Sequence, residues 1–278
     1  MNNKFLIFVN NDKDADLKIN NAITEYLREH GADAVSIDDK YDENGNKIDK
    51  SVFDGVDAVI VLGGDGTMLR ATALLEGRNI PIMGVNLGTL GFLTEVEQVN
   101  VYDALDRLLQ GKYEIEKRMM IEGRVSNNTF HALNDIVISR AGFSRIICLN
   151  IYVNNQLLDT YEADGIIVST PTGSTGYNLS AGGPIVSPKS KAIVVTPISP
   201  HSLTSKSVVF DSTDNIKIEI VKKRKTQETE AIVSFDGMNN KALSANDEVF
   251  AKLSEREVSI IKMYDNNFYS VLREKIGG

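Results

Sequence analysis

The segment that most constrains this chain is Val56-Asp57-Ala58-Val59-Ile60-Val61-Leu62, which runs directly into Gly63-Gly64-Asp65-Gly66-Thr67. A short, nearly continuous apolar run suits a strand buried on both faces, and such strands belong to parallel sheets covered by helices. The glycines that follow let the backbone bend sharply and approach another group closely, and residues 68–75 can continue as a helix. A strand turning into a helix through glycines is a natural anion-binding corner, because the first N–H groups of the helix point outward. A plain phosphate cradle does not want a carboxylate at its centre. Asp65 would repel phosphate unless it takes a proton from a hydroxyl or meets a metal-bound phosphate. The spacing is neither the dinucleotide fingerprint nor a Walker loop. The competing reading is an aspartate that merely caps the following helix.

The same alternation fills the first third of the chain. Phe5-Leu6-Ile7-Phe8-Val9 reads as a buried strand, and Ile19, Ile23, Tyr26 and Leu27 form a helical stripe that Gly31 can close. Ala34-Val35-Ser36-Ile37 reads as a second strand and residues 41–51 as a solvated loop. Residues 80–85 form a further strand, followed by a second glycine-bearing turn, Asn86-Leu87-Gly88-Thr89-Leu90-Gly91-Phe92. Val101, Leu105, Leu108 and Leu109 mark another helix, with Asn100 placed to cap it and Gly111 to end it. Alternating strands and helices predict a Rossmann-like parallel-sheet domain over residues 1–111.

From residue 112 to 264 the texture is strand after strand: 119–125, 135–139, 147–153, 165–169, 192–196, 216–221, 231–235 and 258–263. Only residues 175–179 suggest a short helix. This pattern predicts an all-β, β-sandwich-like second domain. The tail, with Phe268-Tyr269-Ser270-Val271-Leu272 as a short helix or strand, is expected to dock residues 265–278 back on the first domain. The fold class is therefore α/β plus all-β.

Composition serves to exclude. Thirty Lys and Arg against 38 Asp and Glu leave a net charge of −8, which disfavours a nucleic-acid partner because a phosphate backbone rewards a positive surface. The single cysteine, Cys148, cannot form an intrachain disulfide, and with His30, His131 and His201 it shows no zinc spacing. No metal-ligating side chains are expected. The apolar opening run is too short for a signal core or a membrane span, so the expected location is cytoplasmic, with no membrane partner.

A second dense segment is Asp164-Gly165-Ile166-Ile167-Val168-Ser169-Thr170-Pro171-Thr172-Gly173-Ser174-Thr175-Gly176-Tyr177-Asn178-Leu179-Ser180-Ala181-Gly182-Gly183-Pro184. Small hydroxyl residues, glycines and one tyrosine after a strand suit a sugar–base ligand. The competing reading is a long polar turn, although ordering so much glycine without a ligand forfeits chain entropy for little burial.

Together, the Gly63–Thr67 motif and the 164–184 segment resemble the NAD kinase family. Asn86-Leu87-Gly88-Thr89-Leu90-Gly91-Phe92-Leu93-Thr94-Glu95 is similar to its Gly-x-Leu-Gly-Phe element, Asn134-Asp135 to its Asn-acidic pair, and Ser199-Pro200-His201-Ser202-Leu203 to its Pro-His-Thr-Leu segment. The resemblance covers essentially the whole chain in order. It implies transfer of a phosphoryl group from ATP, or polyphosphate, to the 2′-hydroxyl of the adenosine ribose of NAD, making NADP. It implies Mg²⁺ or another divalent metal with ATP, and homodimers or homotetramers.

Carried over by residue, Asp65 matches the general base, with Gly64 and Gly66 shaping its turn. Phe92 matches an apolar contact to the adenine. Asn134 and Asp135 match the pair that hydrogen-bonds the NAD ribose hydroxyls, and Asp164 an acidic residue near the nicotinamide. Thr172, Thr175, Gly176, Tyr177 and Ser180 match positions lining the NAD pocket. Three departures stand out: Asp135 where the family usually has Glu, Gly176 where it has Ala, and Lys206-Ser207 where it often has Arg-Pro.

Two other functions compete. A lipid or sugar-phosphate kinase shares the Gly-Gly-Asp-Gly-Thr motif, but the candidate loops hold almost no arginine, and no apolar or basic membrane face is evident. A non-catalytic NAD-sensing regulator would have less reason to keep Asp65. Elsewhere, Lys222-Lys223-Arg224-Lys225 reads as a solvated hairpin tip and His131 as a satisfied strand residue. His201 stands between a turn role and a site role, and Ser234-Phe235-Asp236-Gly237 reads as a hairpin turn.

Overall fold

The computed structural model describes residues 3–38, 48–141, 146–202, 205–222, 231–264 and 268–276. The chain divides into two compact units, residues 1–117 with 258–278, and residues 118–257.

The first unit holds β1 (Lys4–Val9), α1 (Lys18–Glu29), β2 (Asp33–Asp38), β3 (Ala58–Gly63), α2 (Asp65–Leu75), β4 (Ile82–Asn86), the short β5 (Val96–Glu97) and α3 (Val101–Leu109). Its strands run parallel in the order β2-β1-β3-β4, as buried apolar strands joined by helices must. Helix α1 turns Ile23 and Leu27 inward, and α3 turns in Val101, Ala104, Leu105 and Leu108. They pack on Phe5, Ile7, Ile60, Leu62 and Met83 of the sheet. The strand order reverses direction between β1 and β3, and ligands in open parallel sheets bind outside the carboxyl ends of the strands at such a switch. Asn10 follows β1 and Gly64 follows β3 at that edge.

The structure corrects several local expectations. Helix α2 starts at Asp65, inside the glycine motif, and not at residue 68. Asn100 makes no side-chain capping bond; it ends a 3-10 turn, Gln98–Asn100, that leads into α3. Of the expected loop 41–51, residues 41–47 lie outside the described residues, and Lys50–Phe53 is a 3-10 turn capped by the Asp49 side chain. The stretch 258–263 belongs to the first unit: Ile260 pairs parallel with Ile82 of β4. Its alternating pattern is compatible with either kind of sheet, so only the pairing partner decides.

The second unit is built from β6 (Glu114–Val125), β7 (Asn128–Ala132), β8 (Asp135–Arg140), β9 (Ile147–Val153), β10 (Gln156–Ala163), β11 (Gly165–Ser169), the single-turn α4 (Tyr177–Ser180), β12 (Ala192–Ile198), β13 (Val208–Asp211), β14 (Ile216–Val221), β15 (Ala231–Phe235), β16 (Met238–Leu243) and β17 (Glu248–Lys262). Strands β6 and β17 each cross the unit boundary. One antiparallel sheet runs β13-β12-β11-β8-β15-β16 and another β10-β9-β14-β17. Ile136, Ile138, Ile166 and Val168 of the first sheet share one core with Leu149, Ile151, Ile218 and Ile220 of the second, the sandwich the alternating pattern requires. Strands β10, β13 and β16, absent from the sequence reading, are end strands. Their largely exposed faces lack the apolar alternation that announces a strand. The chain ends in α5 (Phe268–Ile276), in the first unit. Among the described residues, no helix is long and apolar enough to cross a membrane.

Candidate active site

In the first unit the two glycine-bearing turns meet through one side chain. Gly64, extended, precedes α2, so Asp65 is the helix's first residue. Its carboxylate turns away from its own helix: Oδ2 accepts from the Phe92 amide at 2.8 Å and Oδ1 from the Leu93 amide at 3.0 Å. The capping alternative is thereby set aside. Gly91 is required by this contact, since a Cβ there would collide with the Asp65 carboxylate. Thr67 supports the corner, its hydroxyl accepting from Asn10 Nδ2 at 3.1 Å and Arg70 Nη2 at 3.3 Å.

Asp65, Asn10, Lys13, Arg70, Thr89 and Lys275 share the wall of an open cavity of about 300 Å³, together with Gly64 and Gly66. Lys13 Nζ lies beside both turns, 3.0 Å from where a Cβ of Gly64 would stand and 3.3 Å from that of Gly88. One carboxylate thus faces three cations. Phe92 is half-buried, its ring 5.7 Å from that of Phe268 and 5.2 Å from Lys275 Nζ. No set of three or more His, Cys, Asp or Glu among the described residues could hold a metal ion.

In the second unit a residue of the expected hairpin turn organises the Asn134–Asp135 pair. Asp236 sits at positive φ in the β15–β16 turn. Its carboxylate accepts from the amides of Leu133 at 2.7 Å, Asn134 at 2.8 Å and Asp135 at 3.0 Å, while its own amide donates to the Asp135 carbonyl. The expected hairpin turn is therefore also a clamp. Burial pushes the Asp236 carboxyl up to about 6 although the three amides pull it down. Burial, then the neighbouring Asp236 charge, pushes Asp135 up to about 7. With its backbone clamped, Asn134 holds a buried Oδ1 that has no partner among the described residues, an acceptor suited to a ligand hydroxyl.

Much of the hydroxyl-rich segment faces inward. Thr170 Oγ1 donates to the Leu133 carbonyl at 2.6 Å, Ser169 Oγ to that of Thr170 at 2.9 Å, and Ser174 Oγ to that of Pro171 at 2.7 Å. Thr172 is buried and accepts from Arg118 Nη1 at 3.3 Å. Thr175 and Gly176 are half-buried, while Tyr177 and Ser180 are exposed on α4. Gly173 touches the Asn134 backbone, and the Cβ position of Gly176 lies 3.5 Å from Asn134 Nδ2. Asn134, Asp135, Thr172, Thr175 and Gly176 thus gather at one end of β11, with Tyr177 and Ser180 following. Asp164 stands at the other end, about 17 Å away at the usual strand rise, paired with Arg140 Nε at 2.8 Å.

Sequence models for the ATP-NAD kinase N-terminal domain and the ATP-NAD kinase C-terminal domain match residues 5–113 and 133–263. The chain belongs to the ATP-NAD kinase family. An NAD kinase of Lachnoclostridium phytofermentans is 44% identical over 281 residues, covering 99% of each chain. One of Agathobacter rectalis is 43% identical over 277 residues, covering 98% of each. Among solved structures, an NAD kinase from Archaeoglobus fulgidus in complex with ATP superposes with a TM-score of 0.80 at 26% identity, covering 97% of this chain and 98% of that one. Yeast NADH kinase complexed with NADH shares the fold, with a TM-score of 0.87 at 24% identity, covering 99% of this chain and 87% of that one.

Against the pattern expected of an NAD kinase, the Gly176 departure has a local reading: an alanine Cβ would stand 3.3 Å from the Gly173 carbonyl oxygen, a tight fit. The remaining features fare differently. His131 Nδ1 lies 2.9 Å from Ser254 Oγ, and burial foremost lowers its pKa, as for a neutral strand residue. His201 is exposed, its amide donating to the Glu162 carbonyl in a turn. Of the basic run only Lys222 lies within the described residues. Asn10, Lys13, Arg70, Arg118 and Lys275 escaped the sequence reading, because none sits in a recognisable local motif, and Asp236 reads there only as part of a hairpin turn.

Proposed function

We propose that this NAD kinase family member transfers the γ-phosphoryl group of ATP to the 2′-hydroxyl of the adenosine ribose of NAD, with Asp65 as the general base. The carrying observation is the Asp65 carboxylate. Two backbone amides hold it in place, it lines a cavity with three cations, and it retains lone pairs for a substrate hydroxyl. The hydroxyl proton passes to Asp65, the ribose oxygen bonds to the γ-phosphorus, and the bond from that phosphorus to the β-phosphate oxygen breaks to release ADP. Positioning and charge neutralisation dominate such a transfer, which fits a site offering cations and fixed donors.

A divalent ion, Mg²⁺ by preference, enters with ATP as part of the substrate; Asp65 is the single carboxylate in the cavity lining, and no group of three or more His, Cys, Asp or Glu among the described residues could form a metal cage. For NAD, the roles of Asn134 and Asp135 rest on the clamped turn and on the unpartnered Asn134 Oδ1. Thr175, Gly176, Tyr177 and Ser180 belong to the same surface, with Thr172 buried behind it, and the ion-paired Asp164 is the most remote member. Phe92 offers an aromatic ring next to the base. Cytoplasmic location and a homodimer or homotetramer complete the proposal, the latter checked by light scattering.

The test is incubation with NAD, ATP and Mg²⁺ followed by assay for NADP. Asp65→Asn should lower kcat by about 10² to 10⁴-fold, the usual range for a general base, with KM for NAD nearly unchanged. Equal losses in turnover and NAD affinity would remove the base assignment. Absence of NADP from the wild-type reaction would remove the whole reading.

A further inference from the structure

The last helix reaches the cavity of the first glycine motif. Helix α5 belongs to the same unit, and two of its side chains meet one ring: Phe268 lies 5.7 Å from the centroid of Phe92 and Lys275 Nζ 5.2 Å from it. These positions are seven residues apart, two turns of helix, so one face of α5 rests on Phe92. Lys275 also lines the cavity beside Asp65, Lys13 and Arg70.

The charge pattern says what this cavity wants. Around one carboxylate stand an ammonium from the turn after β1, a guanidinium from α2 and an ammonium from α5. Three cations against one anion fit a polyanion far better than a neutral sugar, and the start of α2 adds the positive end of a helix dipole. Phe92 serves as a shelf for the Lys275 ammonium, a cation–aromatic contact that favours this placement of a long side chain. In a chain whose net charge is −8, such a local excess of cations is a built feature and not the average surface.

We infer that Lys275 is a binding residue for the phosphates of the triphosphate donor, delivered by α5 and held by the Phe92 ring. The inference rests on the kinase reading for the identity of the donor, but its test does not need turnover. Calorimetric titration with ATP and Mg²⁺, and separately with NAD, is made on the full-length wild type, Lys275→Met and Lys275→Arg. Lys275→Met should weaken ATP binding about tenfold, the usual size of one lost charge-assisted contact. Lys275→Arg should restore most of it, and NAD binding should stay within about twofold in both. The loss should shrink as salt is raised.

If ATP binding is unchanged in Lys275→Met, the inference is overturned. It is likewise overturned if NAD binding falls as much as ATP binding, because the lysine would then act by propping Phe92. Should the wild type bind ATP, show the Lys275 dependence and yet never make NADP, the kinase reading fails and the phosphate-binding role of Lys275 stands.

Discussion

The two glycine-rich segments look alike as text and are built on opposite plans. Around Gly63–Thr67 the chain exposes function and borrows its support: the Asp65 carboxylate faces a cavity, and its fastening comes from the amides of Phe92 and Leu93. Around residues 169–174 the chain turns its polar groups inward, and hydroxyls that invite a ligand in the sequence are spent on backbone carbonyls. What that inward network secures is the neighbouring turn, where Asn134 keeps an oxygen without a partner among the described residues. The first segment is an open, charged corner and the second largely a brace. A hydroxyl in a glycine-rich loop is evidence of a binding surface only if its hydrogen-bonding groups still face a ligand, and burial decides that.

The contrast can be broken most sharply at two glycines. Gly91→Ala places a methyl group on the Asp65 carboxylate, and moving a reacting group by an ångström can cost about 10²-fold in rate. We expect kcat to fall by about that factor while the melting temperature changes little; an active Gly91→Ala enzyme would show that the amide clamp does not fix the base. Gly173→Ala instead drives a methyl group into the Asn134 backbone. Overpacking of this kind costs about 1–3 kcal/mol, so the expected loss is in thermal stability, with a weaker NAD affinity following from the displaced turn. Unchanged melting would mean that the segment is not a brace.

The smallest effect concerns pH and the buried carboxylates of the second unit. Burial and the Asp236 charge raise Asp135 from 3.8 to about 7 in the folded chain. The neutral acid is thus favoured by folding, and its contribution to stability is complete below about pH 4 and lost as pH rises through 7. Melting curves of the wild type and Asp135→Asn between pH 5 and 8 should show the wild type losing ground as pH increases. A constant difference between the two would contradict the burial of Asp135 as a titrating acid.

Local physics made a good part of this readable in advance. The five-residue run Phe5–Val9 and the run ending at Leu62 can be little else but buried strands, and glycines at a strand end announce a close approach. The family motifs singled out Asp65, which lines the cavity of the first unit, and Asn134 and Asp135, which lie in the clamped turn of the second. The edge strands β10, β13 and β16 stayed hidden because an exposed edge needs no apolar alternation. The partner of 258–263 was equally invisible, since a strand's own sequence does not name its neighbour.

By itself, then, the sequence determined the two kinds of layer, the sharp corner after β3 and the chemical type of the group standing there, all of which depend on residues within a turn or two of one another. The folded chain alone decided that Asp65 is held by amides 27 and 28 positions later, that Asp236 clamps a turn about a hundred residues before it, and that the last helix brings a lysine to the cavity. Contacts at such separations leave no periodic trace in the sequence, because they arise only when burial of the sheets closes the loops between them.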